Sequence, residues 1–193
     1  EATGKLTVIE GKLTIDNEKS SFEGASEVQD GGELVIGSNG TADFNAGLVN
    51  NGGTITMDGG TLNVTGTLAN DGAVDIDSGA LTTDSLNNMA DGVINLSGTG
   101  DLTVNGNVDN DGILTIDGGS ATVAGNLDTE DGTLELIQGS LTVGGELTGI
   151  DFDCINEGVN LTVGTYDDGT DLNIEGSLTV TGDSVIGPVI ALG

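Results

Sequence analysis

The sequence predicts an all-β protein, a right-handed parallel β-helix of about nine three-sided coils of about twenty residues each. Three observations carry the prediction. A glycine-marked corner recurs at a fixed interval, short runs of apolar–polar alternation follow each corner, and aromatic residues are nearly absent.

The corner is read first, because a fixed internal period decides the architecture before any local propensity does. Gly32, Gly53, Gly72, Gly92, Gly112 and Gly132 each stand two residues before an apolar position, at steps of 21, 19, 20, 20 and 20. The residue before each is Gly31, Gly52, Asp71, Asp91, Asp111 or Asp131. Asn-Asp-Gly and Asp-Gly corners are turn signals because these residues tolerate positive φ.

Strands with period-2 alternation open after the corners. On the first side the inward pairs are Leu34 and Ile36, Ile55 and Met57, Val74 and Ile76, Ile94 and Leu96, Leu114 and Ile116, and Leu134 and Leu136. A second side follows about seven residues later, with pairs such as Leu62 and Val64, Leu102 and Val104, or Leu141 and Val143. A third, shorter side contributes one apolar residue per coil: Leu48, Leu68, Leu86, Val108, Leu127 and Leu147. Leu6 and Val8, then Leu13 and Ile15, begin the same scheme. The whole chain, 1–193, reads as a single solenoid domain with an irregular insertion at about 17–28, a looser register over 148–170 and an apolar C-terminal segment, 184–193.

The third observation concerns what fills the interior. Phe22, Phe44, Phe152 and Tyr166 are the only aromatic residues, so the core must be narrow and built from rows of Leu, Val and Ile. Collagen is excluded, since the 35 glycines lack a three-residue period and there is one Pro.

Charge excludes several partners. Three Lys oppose 32 acids, a net charge of −29, and Lys5, Lys12 and Lys19 all lie in the first twenty residues. Nucleic acid is not an expected partner, because neutralising phosphates needs Lys and Arg. Anionic membrane surfaces are unsuitable for the same reason. No apolar stretch is long enough to span a bilayer, so membrane insertion is not expected. The chain starts at Glu1 without an initiator Met, which fits a processed start and a removed signal peptide.

Catalysis is not expected. With no His, neither a Ser-His-Asp nor a Cys-His arrangement can be built. Carboxylates are so abundant that their proximity alone does not mark a glycoside-hydrolysing pair. Cys154, the only cysteine, excludes an intrachain disulfide and leaves two readings: a small buried hydrophobe, or an intermolecular disulfide.

Calcium is the one cofactor the pattern suggests, and none is required. Asp71, Asp91, Asp111 and Asp131 would stack along one edge, where two unit charges about 5 Å apart in water repel by a little under 1 kcal/mol. Either they splay into solvent or a hard cation sits between coils. Asp167, Asp168 and Asp171 form a second acidic group; neither set matches an EF-hand or a nonapeptide calcium roll. An outward column of Thr82, Thr103, Thr122, Thr142, Thr162 and Thr179 suggests an ice-binding array, but its flanking column is mixed. Four Asn-x-Ser/Thr sequons, at Asn39, Asn63, Asn95 and Asn160, permit glycosylation without arguing for it.

Runs such as Gly60-Thr61-Leu62-Asn63-Val64-Thr65-Gly66-Thr67-Leu68 resemble the repeats of prokaryotic β-solenoid surface proteins. These include autotransporter passenger domains, filamentous-haemagglutinin-like adhesins, and sheath or surface-layer proteins. The resemblance spans nearly the whole chain and is one of repeat style, with no diagnostic motif. It implies a secreted, surface-exposed rod.

Two functions are then open. The first is a structural protein that assembles head to tail with itself into a filament, tube or sheath. Solenoids normally end in polar caps, and no cap is visible here. Lys5, Leu6, Val8, Lys12 and Lys19 at one end, and Val185, Ile186, Val189, Ile190 and Leu192 at the other, are the expected interface. The alternative is a stalk or binding fragment of a larger adhesin, with a host or cell-surface receptor as partner.

Overall fold

The computed structural model describes residues 4–150, 154–168, 172–182, 185–186 and 189–191, and among these it is all strand and turn. Among the described residues every pairing between strands is parallel, and each partner lies 17 to 22 residues further along the chain. The chain is a parallel β-solenoid. Strands as long as Thr54–Asn70, Ala73–Asn88 and Thr133–Thr148 turn the corners without leaving the ladder.

The second side shows the stack most completely. Residues 19–22, 41–44, 61–64, 80–83, 101–104, 120–123, 140–143, 160–163 and 177–180 lie one upon the next. Nine rungs are separated by eight steps, so the rod makes about eight turns. At about 4.8 Å per step the stack is about 40 Å tall.

The interior follows the alternation. The first-side pairs from Leu34 to Ile116 are buried, as are the second-side pairs from Ala42 to Val163 and the third-side column from Leu48 to Leu147. Tyr166 continues that third column directly on Leu147 and is fully buried. Phe22 and Phe44 stack within the second side, centroids 4.8 Å apart and planes 19° from parallel.

The insertion expected at 17–28 is absent. Lys19–Phe22 and Ser26–Gln29 are regular second- and third-side strands of the first coil. Their inward positions alternate Ser20 with Phe22 and Ser26 with Val28, so serine hid the alternation. Within 148–170 the second side continues at 160–163 and the third at 165–166. Cys154–Ile155 pairs with Leu172–Ile174, which pairs with Val189–Ala191, and among the described residues this three-stranded sheet has no pairing with the strand containing Leu134. Leu134 and Leu136 are half-buried.

The corner glycines are required for a reason other than φ. Gly72, Gly92 and Gly112 do not adopt positive φ. A Cβ on Gly72 would run into the Gly53 carbonyl of the coil beneath, and one on Gly112 into that of Gly92. Glycine lets successive corners touch backbone to backbone.

Just before this corner, inside the rod, lies a column of amides. Asn50, Asn70, Asn88 and Asn110 are at most 1% exposed and stand in register. Asn50 Nδ2 donates to Asn70 Oδ1 at 2.8 Å, Asn70 to Asn88 at 2.8 Å, and Asn88 to Asn110 at 2.7 Å. Each Nδ2 also reaches backbone carbonyls of the corner, such as Ala73, Gly72, Ile113 and Thr133. Asparagine carries both a donor and an acceptor, so it satisfies a copy of itself one rung away. Val28 precedes the ladder, leaving Asn50 Oδ1 without a donor, and the buried Thr129 follows it.

Two stability predictions follow from the packing. Leu114→Ala is expected to cost about 2–5 kcal/mol, and the outward Thr115→Ala under about 1 kcal/mol, in a denaturant titration. Equal costs would refute the inside–outside assignment. Asn88→Ala leaves the buried Asn110 Oδ1 without its ladder donor, at about 1–3 kcal/mol for a group left unsatisfied. Exposed Asn51→Ala serves as the control, and an Asn88 variant no less stable than this control would show that the ladder carries no stability.

Candidate functional site

A chain with 32 acids stacked in register faces a like-charge problem at every rung. Opposed like charges in a sheet destabilise it. The outward columns show how this is met: acids alternate with amides and hydroxyls. Asn63 Nδ2 donates to Asp43 Oδ1 at 2.8 Å, Asn95 Nδ2 to Asp75 Oδ1 at 2.8 Å, and Gln138 Nε2 to Asp117 Oδ1 at 2.9 Å. Ser120 Oγ donates to Asp101 at 2.6 Å, and Ser97 Oγ to Asp77 at 3.0 Å. The Asp43 carboxyl is held below its ordinary range, first by the Asn63 amide and then by Lys19. Glu27 is lowered in the same direction by Gln29 and Asn51.

Among the paired strand positions of the described residues, one acid lies directly on another: Asp109 on Asp128. The Asp109 carboxyl is raised above its ordinary value. Partial desolvation is the largest cause, followed by the charges of Asp111, Asp128 and Asp131. A shallow groove at this corner is lined by Asn107, Asp109, Asn126, Asp128, Glu130 and Glu146. The Asn107 and Asn126 amide oxygens are already used, accepting from the backbone N–H groups of Asn126 and Glu146.

The expected calcium edge is laid out differently from the simple column. Asp71 and Asp111 directly follow ladder asparagines and are half-buried, whereas Asp91 and Asp131 sit in longer corners and are exposed. Among the described residues no three acidic, His or Cys side chains converge as a metal-holding group. Asp167 and Asp168 end the strand Val159–Asp168, but their side chains lie outside the described residues, as does all of Asp171. Cys154 begins a two-residue strand paired with Leu172–Ile174, and its side chain is likewise outside them.

The two ends of the stack are open among the described residues. Thr7–Val8, Gly11–Ile15 and Lys19–Phe22 each pair on one edge only, with the coil that follows. Leu6, Leu13 and Phe22 are half-buried at this end, and Ile9 is 59% exposed. At the other end Ser177–Val180, Val185–Ile186 and Val189–Ala191 also have one neighbour each. The side chains of Val185, Ile186, Val189 and Ile190, and all of Leu192, lie outside the described residues.

The lysines are arranged otherwise than the sequence suggested. Lys12 Nζ binds Glu33 Oε1 at 2.8 Å, and Lys19 Nζ binds Asp43 Oδ2 at 2.9 Å, both between the first and second coils. Lys5 is exposed and close enough to Glu27 to contribute to its lowering.

The outward threonines are strictly aligned. Thr82, Thr103, Thr122, Thr142, Thr162 and Thr179 form one continuous column on the second side. The column beside it runs from Asp101 through Ser120, Ser140 and Asn160 to Ser177. No protein-family model, curated protein or solved structure matches this chain.

The stacked acids give a testable sign. A carboxyl whose folded pKa is raised holds its proton more tightly folded than unfolded, so its contribution to stability falls as pH rises through that window. Asp109→Asn is expected to raise the unfolding temperature at neutral pH and to lose this advantage below the ordinary carboxylate range. The gain is about 0.2–1 kcal/mol, toward the low end because the pair is exposed and screened. A variant less stable than the parent at pH 7 would overturn the repulsive assignment.

Proposed function

We propose that the chain is a secreted structural protein of the cell surface whose rods join head to tail into a filament, tube or sheath. The observation supporting this is that both terminal rungs present strand edges with no partner among the described residues. In a wholly parallel stack the two edges differ, and each complements the opposite end. Like ends cannot continue the parallel ladder, so the contact is heterologous and repeats openly. Strand addition of this kind uses main-chain hydrogen bonds and needs no new side-chain chemistry.

The order of sides defines the join. Residues 189–191 on side one would meet 11–15 of the next copy, and 185–186 on side three would meet 7–8. The lysines contribute less than the sequence suggested, since Lys12 and Lys19 are engaged within their own chain. Exposed pairs of this kind are worth about 0–1 kcal/mol and exchange at little cost.

The adhesin-stalk alternative uses the same rod without the join. Large loops would favour it, but the corners among the described residues are short. Light scattering and electron microscopy decide between the two. The parent is expected to form long assemblies whose length grows with concentration, and a variant lacking residues 184–193 to remain monomeric. A parent that stays monomeric at high concentration, with and without salt and Ca²⁺, refutes head-to-tail assembly.

A further inference from the structure

We propose that the second side is the lateral seam by which neighbouring rods, second copies of this chain, lie face to face. The inference rests on the head-to-tail reading and concerns what those filaments do next. Four consecutive rungs, from Ser120 to Thr179, present only Ser, Thr and Asn outward on this side. The three rungs before them add one acid, Asp101, whose carboxylate accepts the Ser120 hydroxyl at 2.6 Å. On a chain of net charge −29, this is where two copies approach with least repulsion.

The other two sides carry acid through the same length. Side one has Asp75, Asp117 and Glu135, and side three has Asp109, Asp128 and Glu146. At physiological salt charges are screened only beyond about 8 Å, and packed sheets lie about 10 Å apart. Face-to-face contact through either of those sides would bring carboxylates within reach of each other. The second side avoids this, and its short side chains let two flat sheets come close enough for hydroxyl-to-hydroxyl bonding.

Area decides when the seam acts. Four to seven rungs about 4.8 Å apart, each about four residues wide, give roughly 250–450 Å² per copy. A stable pair of free proteins buries about 800 Å² per partner. Single rods therefore stay apart, while rods joined into a filament repeat the contact along their length and hold by multivalency. Lateral order is expected only after end-to-end assembly.

The test places charge on the face without stacking acid on acid. Thr122→Asp with Thr162→Asp keeps Thr142 between the two new carboxylates, and Thr115→Asp on side one is the control. Thermal unfolding establishes that all three proteins are folded. Electron microscopy is expected to show paired or sheeted filaments for the parent and the control, and single filaments for the double variant. Filaments that bundle equally with and without the two aspartates overturn the seam alone. A parent that forms no filaments overturns both readings. Inhibition of ice recrystallisation by the parent, lost in the double variant, would assign the face to ice and overturn the lateral contact.

Discussion

Everything in this molecule depends on one constraint: each coil lies in parallel register on the one before it. A residue therefore meets its own equivalent about 4.8 Å away, rung after rung. Position by position, the side chain must tolerate its own kind or be alternated with something else. Leucine, valine and isoleucine tolerate themselves, and the three inward columns are built from them. Asparagine bonds to itself through one donor and one acceptor, which is why an amide can be buried at Asn50, Asn70, Asn88 and Asn110. Glycine tolerates itself at corners too tight for a Cβ.

Carboxylates do not tolerate themselves. Along the paired strands acids alternate with an amide or hydroxyl in a neighbouring rung at several positions, as at Asp43 and Asn63 or Asp75 and Asn95. At Asp43 the Asn63 contact holds the carboxyl below its ordinary range. The exception is Asp109 on Asp128, where the Asp109 carboxyl is raised, first by partial desolvation and then by the charges of Asp111, Asp128 and Asp131.

Where identical residues repeat at a fixed spacing, the sequence shows the structure directly. The inward pairs from Leu34 to Ile116 and the aligned threonines were readable because leucine, valine and threonine recur by simple counting. The first coil was hidden because serine replaces an aliphatic residue at Ser20 and Ser26. The asparagine ladder was hidden by the choice of origin. Counted from the corner glycine the asparagines drift, because the corners after Asn50, Asn70 and Asn88 differ in length. Counted from the third-side apolar residue they fall into line: Leu48 and Asn50, Leu68 and Asn70, Leu86 and Asn88, Val108 and Asn110. The lysine pairs at Glu33 and Asp43 depend on rotamers and on cross-coil register that counting does not supply.

The same constraint bears on assembly. In a linear repeat each coil contacts only its neighbours, so stability is close to a sum of coil and interface terms. A join between two molecules that continues the ladder is then one more interface of the same kind. It lacks its second-side share, because the last strand of one chain and the first of the next both lie on other sides. A few buried aliphatic side chains at about 1.5–3 kcal/mol each are set against an association cost of about 4–15 kcal/mol. The proposed join is therefore close to balance, and small additions decide whether it forms. The proposed lateral contact, too small to act alone, would supply such an addition along every filament it touched. End-to-end and side-to-side association would then be coupled, each weak without the other. Growth of this kind is cooperative, with a threshold concentration below which the rods remain separate.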